Sequence, residues 1–176
     1  PIIDLFTFYD YLKAKKGQSI EINTFNFLKN IRKDKEFISD AFIGTDMHTI
    51  NLMGGVDKYM SHIRYAYESS EKSLYYFPKK HGHDFADLNS IIIDNFPSIN
   101  IIDDLLPIEL YLISRGLSIE TSYSHISSAL TTLDYLSLCK NFKVIINNKL
   151  TEEPSSDFIL SQIKQNLNNI EVIHGQ

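Results

Sequence analysis

From about residue 40 onward, short β-type runs alternate with stretches of helical period, and this alternation constrains the fold more than any other feature of the chain. "DAFIGT" (40–45) reads as a strand ending at Gly44. In "GVDKYMSHIRYAYESS" (55–70), Val56, Tyr59, Met60, Ile63 and Tyr67 recur at steps of three and four, which predicts a helix. "SLYYF" (73–77) is short and aromatic and stops at Pro78, as a strand does. Residues 84–96 read as a helix or an irregular bridge, and "SINIID" (98–103) as a strand. "PIELYLISRG" (107–116) is a helix punctuated by Pro107 in its first turn and Gly116 past its end. Strand 118–124, helix 126–139, strand 141–147, helix 154–169 and a short strand or tail at 170–174 complete the series. Strands separated by helices of this length indicate βαβ units, so the expected fold class is α/β, a parallel sheet with flanking helices. Ligands of such sheets sit beyond the carboxyl ends of the strands. The residues just after each strand, 79–84, 103–109 and 124–128, therefore carry the functional interest.

Residues 1–36 show no clean strand pattern. "FYDYLKAKKG" and "NTFNFLKNIRKDKEF" are amphipathic and read as a helical arm or linker, leaving 37–176 as the α/β domain. At 176 residues the chain has room for one substantial core. A net charge of −5 argues against a nucleic-acid partner. Cys139 is the single cysteine, so no internal disulfide forms and a reducing compartment is expected. No apolar run approaches the ~20 residues of a membrane span, and no signal peptide is apparent. The chain starts at Pro1 rather than Met, which is open to three readings: a fragment, a processed product or the ordered part of something longer.

Three post-strand segments carry chemistry. "KKHGHD" (79–84) joins two lysines to two histidines and an aspartate. His81, His83 and Asp84 have the donor types of a metal hydrolase, but a site needs further ligands and the two lysines repel a cation. The same loop reads as a plain polar turn, or as an anion-facing site in which cations neutralise charge and a histidine donates a proton. In "YSHISSAL" (123–130), Ser127 and Ser128 stand at a helix start, where unpaired N–H groups and the helix dipole suit a phosphate. Serine is also the ordinary residue of a helix cap. In "LLPIELYL" (105–112), Glu109 sits in a first turn, where a carboxylate is stabilised by the dipole. There it could equally grip the hydroxyls of a ribose. On one parallel sheet these segments line a single edge, as a nucleotide-sugar site without a metal would.

The stretch from about Phe42 to Leu136 resembles the C-terminal half of bacterial sialyltransferases of the lipooligosaccharide type (glycosyltransferase family 52). Similar features recur in polysialyltransferases and other families that use CMP-sialate. Their pattern is a strand like Tyr-Tyr-x-Pro-His-Pro-Arg, then an acidic residue opening a short helix, then a Ser-Ser-Ala-Leu-like helix start. This chain has "YYFPKKH", "PIEL" and "SSAL" in that order. The resemblance implies a Rossmann-like domain equivalent to the C-terminal, CMP-binding half of a GT-B glycosyltransferase. It implies that Glu109 binds the ribose of CMP and that Ser127 and Ser128 bind its phosphate. Alignment on "YYFP" sets Lys79 where the family has its general-acid histidine, with His81 two positions later. Either His81 protonates the leaving phosphate or Lys79 stabilises it electrostatically. Asp57 matches the family's general base. "FTFYDY" (6–11) shares only Asp10 with a Phe-Asp-Asp-Gly motif of the relatives.

What the resemblance implies is an inverting sialyl transfer from CMP-sialic acid to a surface-glycan acceptor, in lipooligosaccharide or capsule biosynthesis. No cofactor or metal is expected. The location would be cytoplasmic and peripheral to the inner membrane, and the N-terminal arm allows a homodimer. The alternatives are a non-catalytic remnant or assembly module of such an enzyme, and a metal-dependent hydrolase built on His81, His83 and Asp84.

Overall fold

The computed structural model describes residues 3–7, 16, 18–22, 36–71, 73–79, 85–147, 160–161, 163–165, 167 and 169–175. The chain divides into two compact units, Pro1–Lys33 and Asp34–Gln176. In the first, β1 (Ile3–Thr7) and β2 (Gln18–Ile22) pair in parallel, from Ile3 opposite Gln18 to Thr7 opposite Ile22. Strands therefore stand at these positions where the amphipathic reading expected helix or linker. "SIEI" (19–22) alternates polar and apolar residues with a period of two, a strand signal that its lysine-rich surroundings obscure. The rest of that segment, Asp10 included, lies outside the described residues.

The second unit is the expected α/β domain. Strands β3 (Glu36–Ile38) and β4 (Asp40–Ile43) open it. Helices α1 (Met47–Leu52) and α2 (Val56–Ser69) follow, then β5 (Leu74–Phe77), α3 (Phe85–Asn95) and β6 (Asn100–Ile101). Next come α4 (Ile108–Ser114), β7 (Leu117–Ser124), α5 (Ser128–Tyr135), β8 (Cys139–Ile146) and β9 (Ile170–His174). Residues 160–161 and 163–165 are helical between the last two strands. The strand order is β6-β5-β4-β7-β8-β9, with β3 also on β7 and every pair parallel. Ile38 faces Ile119 and Ala41 faces Ser122, so β3 and β4 keep one register along β7. They are one strand interrupted at Ser39, whose hydroxyl donates to the Ser73 carbonyl at 2.8 Å. Numbered from β4, the order is 3-2-1-4-5-6, that of doubly wound nucleotide-binding sheets. The domain is Rossmann-like, and its switch point lies between β4 and β7.

Alternation along the strands divides the core. Phe42, Tyr76 and Tyr123 turn to one face and pack against Ile50 of α1, Ile63 of α2 and Ile92 of α3. Ile43 and Phe77 turn to the other face, where Phe77 meets Tyr111 of α4 edge-on. Leu112 of α4 and Leu130 and Leu133 of α5 are buried. Helix α5 stops at Tyr135, short of the expected residue 139. Ser137 adopts a left-handed backbone (φ 53°), and the Leu138 N–H returns to the Leu133 carbonyl at 2.7 Å. That reversal frees Cys139 to begin β8. Among the described residues no helix is long and apolar enough to cross a membrane.

Candidate functional site

The carboxyl edge at the switch point holds a cavity of about 280 Å³. It is lined by Ile43 and Gly44 after β4, Phe77–Lys79 after β5, Ile102 and Leu105–Glu109 after β6, Tyr111 in α4, and Ser127 and Ala129 after β7. Its volume lies close to the lower bound of ligand pockets, ~300 Å³. The sequence contains no G-x-G-x-x-G run, and Gly44 stands alone in the first turn.

Gly44 brings the strand ends together. Its N–H donates to the Phe77 carbonyl at 2.8 Å. A Cβ there would lie 2.9 Å from that oxygen, 2.9 Å from the Tyr76 hydroxyl and 3.0 Å from the Lys79 nitrogen. Only a residue without a side chain lets the segment 77–79 cross the end of β4, and that crossing delivers Lys79 to the cavity. Beneath it the Tyr76 and Tyr59 hydroxyls meet at 2.9 Å. Burial pushes the Tyr76 phenol up to about 12, so the pair stays neutral.

Three of the sequence-derived residues, Lys79, Glu109 and Ser127, line this cavity together. Lys79 is exposed. Glu109 is half-buried in the first turn of α4, and burial raises its carboxyl above the usual range against the pull of its own backbone N–H. Ser127 is the N-cap of α5, its hydroxyl accepting the Ala129 N–H at 3.3 Å. The cap reading is therefore realised, and the same residue faces the cavity. Ser128 is exposed in the first turn of α5 and does not line it. Asp57 is likewise exposed, in the first turn of α2, and is not among the lining residues. His81, with His83 and Asp84, lies outside the described residues. Among the described residues no three His, Cys, Asp or Glu side chains form a metal-sized group.

Two features escaped sequence reasoning. Asp46 caps α1, its Oδ1 accepting the Thr49 N–H at 2.8 Å. Burial alone would raise its carboxyl. The hydrogen bonds from Thr49 and the nearby Lys79 charge outweigh that and hold it below the usual range. The second feature is a buried pair of imidazoles, with His62 Nδ1 and His125 Nε2 3.0 Å apart. By sequence the histidines other than those of the loop show no paired spacing, yet these two, 63 positions apart, meet beside Phe42 and Tyr59. The available signal was local. His62 shares the apolar face of α2 with Tyr59 and Ile63, and His125 directly follows a buried strand.

No protein-family model matches the chain, and no curated protein matches it. What the fold and the cavity define is a class, a Rossmann-like domain with a polar-and-apolar cavity at its switch point.

Proposed function

We propose that this chain is the donor-binding domain of a sialyltransferase-like glycosyltransferase, taking CMP-sialic acid at the switch-point cavity. The observation that carries the reading is the convergence of Lys79, Glu109 and Ser127 on that one cavity. They come from three separate post-strand segments, and the resemblance in "YYFPKKH", "PIEL" and "SSAL" gives each a role. Glu109 accepts from the ribose hydroxyls. The Ser127 hydroxyl and the start of α5 meet the phosphate, where helix-terminal N–H groups favour an anion. Lys79 neutralises the charge that develops on the leaving phosphate. In the transfer, an acceptor hydroxyl attacks the anomeric carbon as the bond to the CMP phosphate oxygen breaks. The hydroxyl proton passes to a general base, for which the resemblance nominates Asp57. The acceptor is a surface glycan, and the setting is the cytoplasmic face of the inner membrane in a bacterium.

A second reading, a non-catalytic CMP-binding module, is favoured by one observation: Asp57 is not among the residues lining the cavity. Thermal unfolding with millimolar CMP, UMP and AMP tests the shared part. A ligand that binds only the folded state raises the Tm. The reading requires a rise with CMP and its loss in Glu109→Ala, and no rise with any nucleotide would sink it. Release of CMP from CMP-sialic acid, abolished by Asp57→Asn, distinguishes the enzyme from the module.

A further inference from the structure

Resting on the nucleotide reading, we propose that Leu105 is the base-covering residue of the cavity, a rigidly presented aliphatic plate for the planar ring of a pyrimidine nucleotide. Leu105 is 97% exposed, while Leu106 and Leu110 beside it are 40% and 41% exposed. Single exposed leucines are unremarkable on a protein surface. This one lines the mouth of the cavity together with Leu106 and Pro107.

The backbone around it is fastened on both sides. The Ile102 N–H donates to the Tyr76 carbonyl at 2.9 Å, tying the loop to β5. The Pro107 carbonyl accepts the Tyr111 N–H at 2.9 Å, tying it to α4. Between these ties Asp104 brackets the leucine. Its Oδ1 accepts the Leu106 N–H at 3.0 Å, and its Oδ2 faces the Arg115 guanidinium at 3.4 Å. Arg115 in turn lies over the Tyr111 ring, 4.7 Å from its centroid. Leu105 thus stands at the crest of a pinned loop, held outward rather than folded into the core.

The polarity of the cavity orients the ligand. Its hydrogen-bonding side chains are Glu109, Ser127, Lys79 and Tyr111, of which the first three suit a ribose and a phosphate. The lip of Leu105, Leu106 and Pro107 offers apolar faces, and the part of a nucleotide that gains from an apolar face is the flat side of its base.

The experiment uses the whole chain, as wild type and as Leu105→Ser, titrated calorimetrically with CMP. It is paired with saturation-transfer NMR from the leucine methyls to the bound nucleotide. The expected result is roughly tenfold weaker CMP binding in the variant, equivalent to about 1.4 kcal/mol. Transfer to the two ring protons of cytosine should collapse while transfer to the ribose protons persists. Leu105→Phe, which keeps an apolar face, should retain binding. The Tm without ligand should be unchanged in both variants. The inference is overturned if Leu105→Ser binds CMP as the wild type does, or if ring and ribose transfer fall in equal proportion. Wild type that binds no CMP overturns the nucleotide reading and the inference with it, a failure visible before any variant is made.

Discussion

The His62–His125 pair shows how a single contact can set a pH limit on the fold. A hydrogen bond between the two rings needs one proton between them, so one imidazole donates and the other accepts. Whichever tautomer holds, the outer nitrogens, His62 Nε2 and His125 Nδ1, are buried without a hydrogen-bond partner among the described residues. Burial, with the Lys58 charge adding to it, lowers His62 to about 4. Burial, with His62 adding to it, lowers His125 to about 3. In the unfolded chain both return to the ordinary value of about 6.5. Between that value and the folded ones the unfolded state binds more protons, so stability is full above pH 6.5 and falls as the solution is acidified. Each pH unit in that window costs up to about 1.4 kcal/mol per imidazole, and each kcal/mol is worth about 2–4 °C of Tm in a domain of this size. Melting curves from pH 7.5 to 5 should show the loss, and His62→Leu with His125→Phe should flatten it. An unchanged slope in that double variant would mean that the carboxylates govern acid stability instead. Gly44 makes a second prediction of the same scale. Gly44→Ala forces a Cβ within 3 Å of the Phe77 carbonyl and the Tyr76 hydroxyl. The cost should be about 1–3 kcal/mol in urea unfolding, with weakened CMP binding because Lys79 is displaced.

Helix caps decide how the elements meet the cavity, and Asp46 is the case to test. Asp46→Ala removes the acceptor for the Thr49 N–H and should cost about 1 kcal/mol in the urea midpoint. Asp46→Asn keeps a good cap and should cost little, while removing the carboxylate near Lys79. A large loss with Asn would show that the charge, not the cap, stabilises this turn. Helix α1 was not legible in the sequence because six residues offer too little period, and residues 46–54 drew no assignment. Longer elements were legible for the opposite reason. Val56, Tyr59, Met60 and Ile63 mark one face of α2 over about two turns, and "LYYF" ended by Pro78 marks β5. Strands β1, β2 and β3 were missed because their short runs lie among lysines and asparagines that resemble an amphipathic helix. The candidate site divides in the same way. Lys79, Glu109 and Ser127 were readable because parallel topology sends every post-strand residue to one edge. That Asp57 and Ser128 do not line the cavity is not encoded in spacing along the chain.

At the scale of the whole molecule, the strand order 3-2-1-4-5-6 is complete within Asp34–Gln176, and so are the buried core and the cavity. Doubly wound sheets bury both faces of their strands under crossover helices, and α1 to α3 on one side with α4 and α5 on the other supply that cover. The unit therefore contains what cooperative folding requires, a single core with its crossovers. A fragment of residues 34–176 should unfold in one transition, with coincident loss of far-ultraviolet dichroism and tyrosine fluorescence. If the proposed function holds, it should also show the CMP-dependent rise in Tm, since the residues lining the cavity lie within it. The Lys33–Asp34 division matters for the design, because β3 begins at Glu36 and shares the β7 register with β4. A fragment starting at residue 40 would expose the amino-terminal half of β7 and should lose stability relative to 34–176. Two separate transitions in the 34–176 fragment would contradict a single core. Loss of the CMP response from a cooperatively folded fragment would mean that nucleotide binding draws on residues before Asp34.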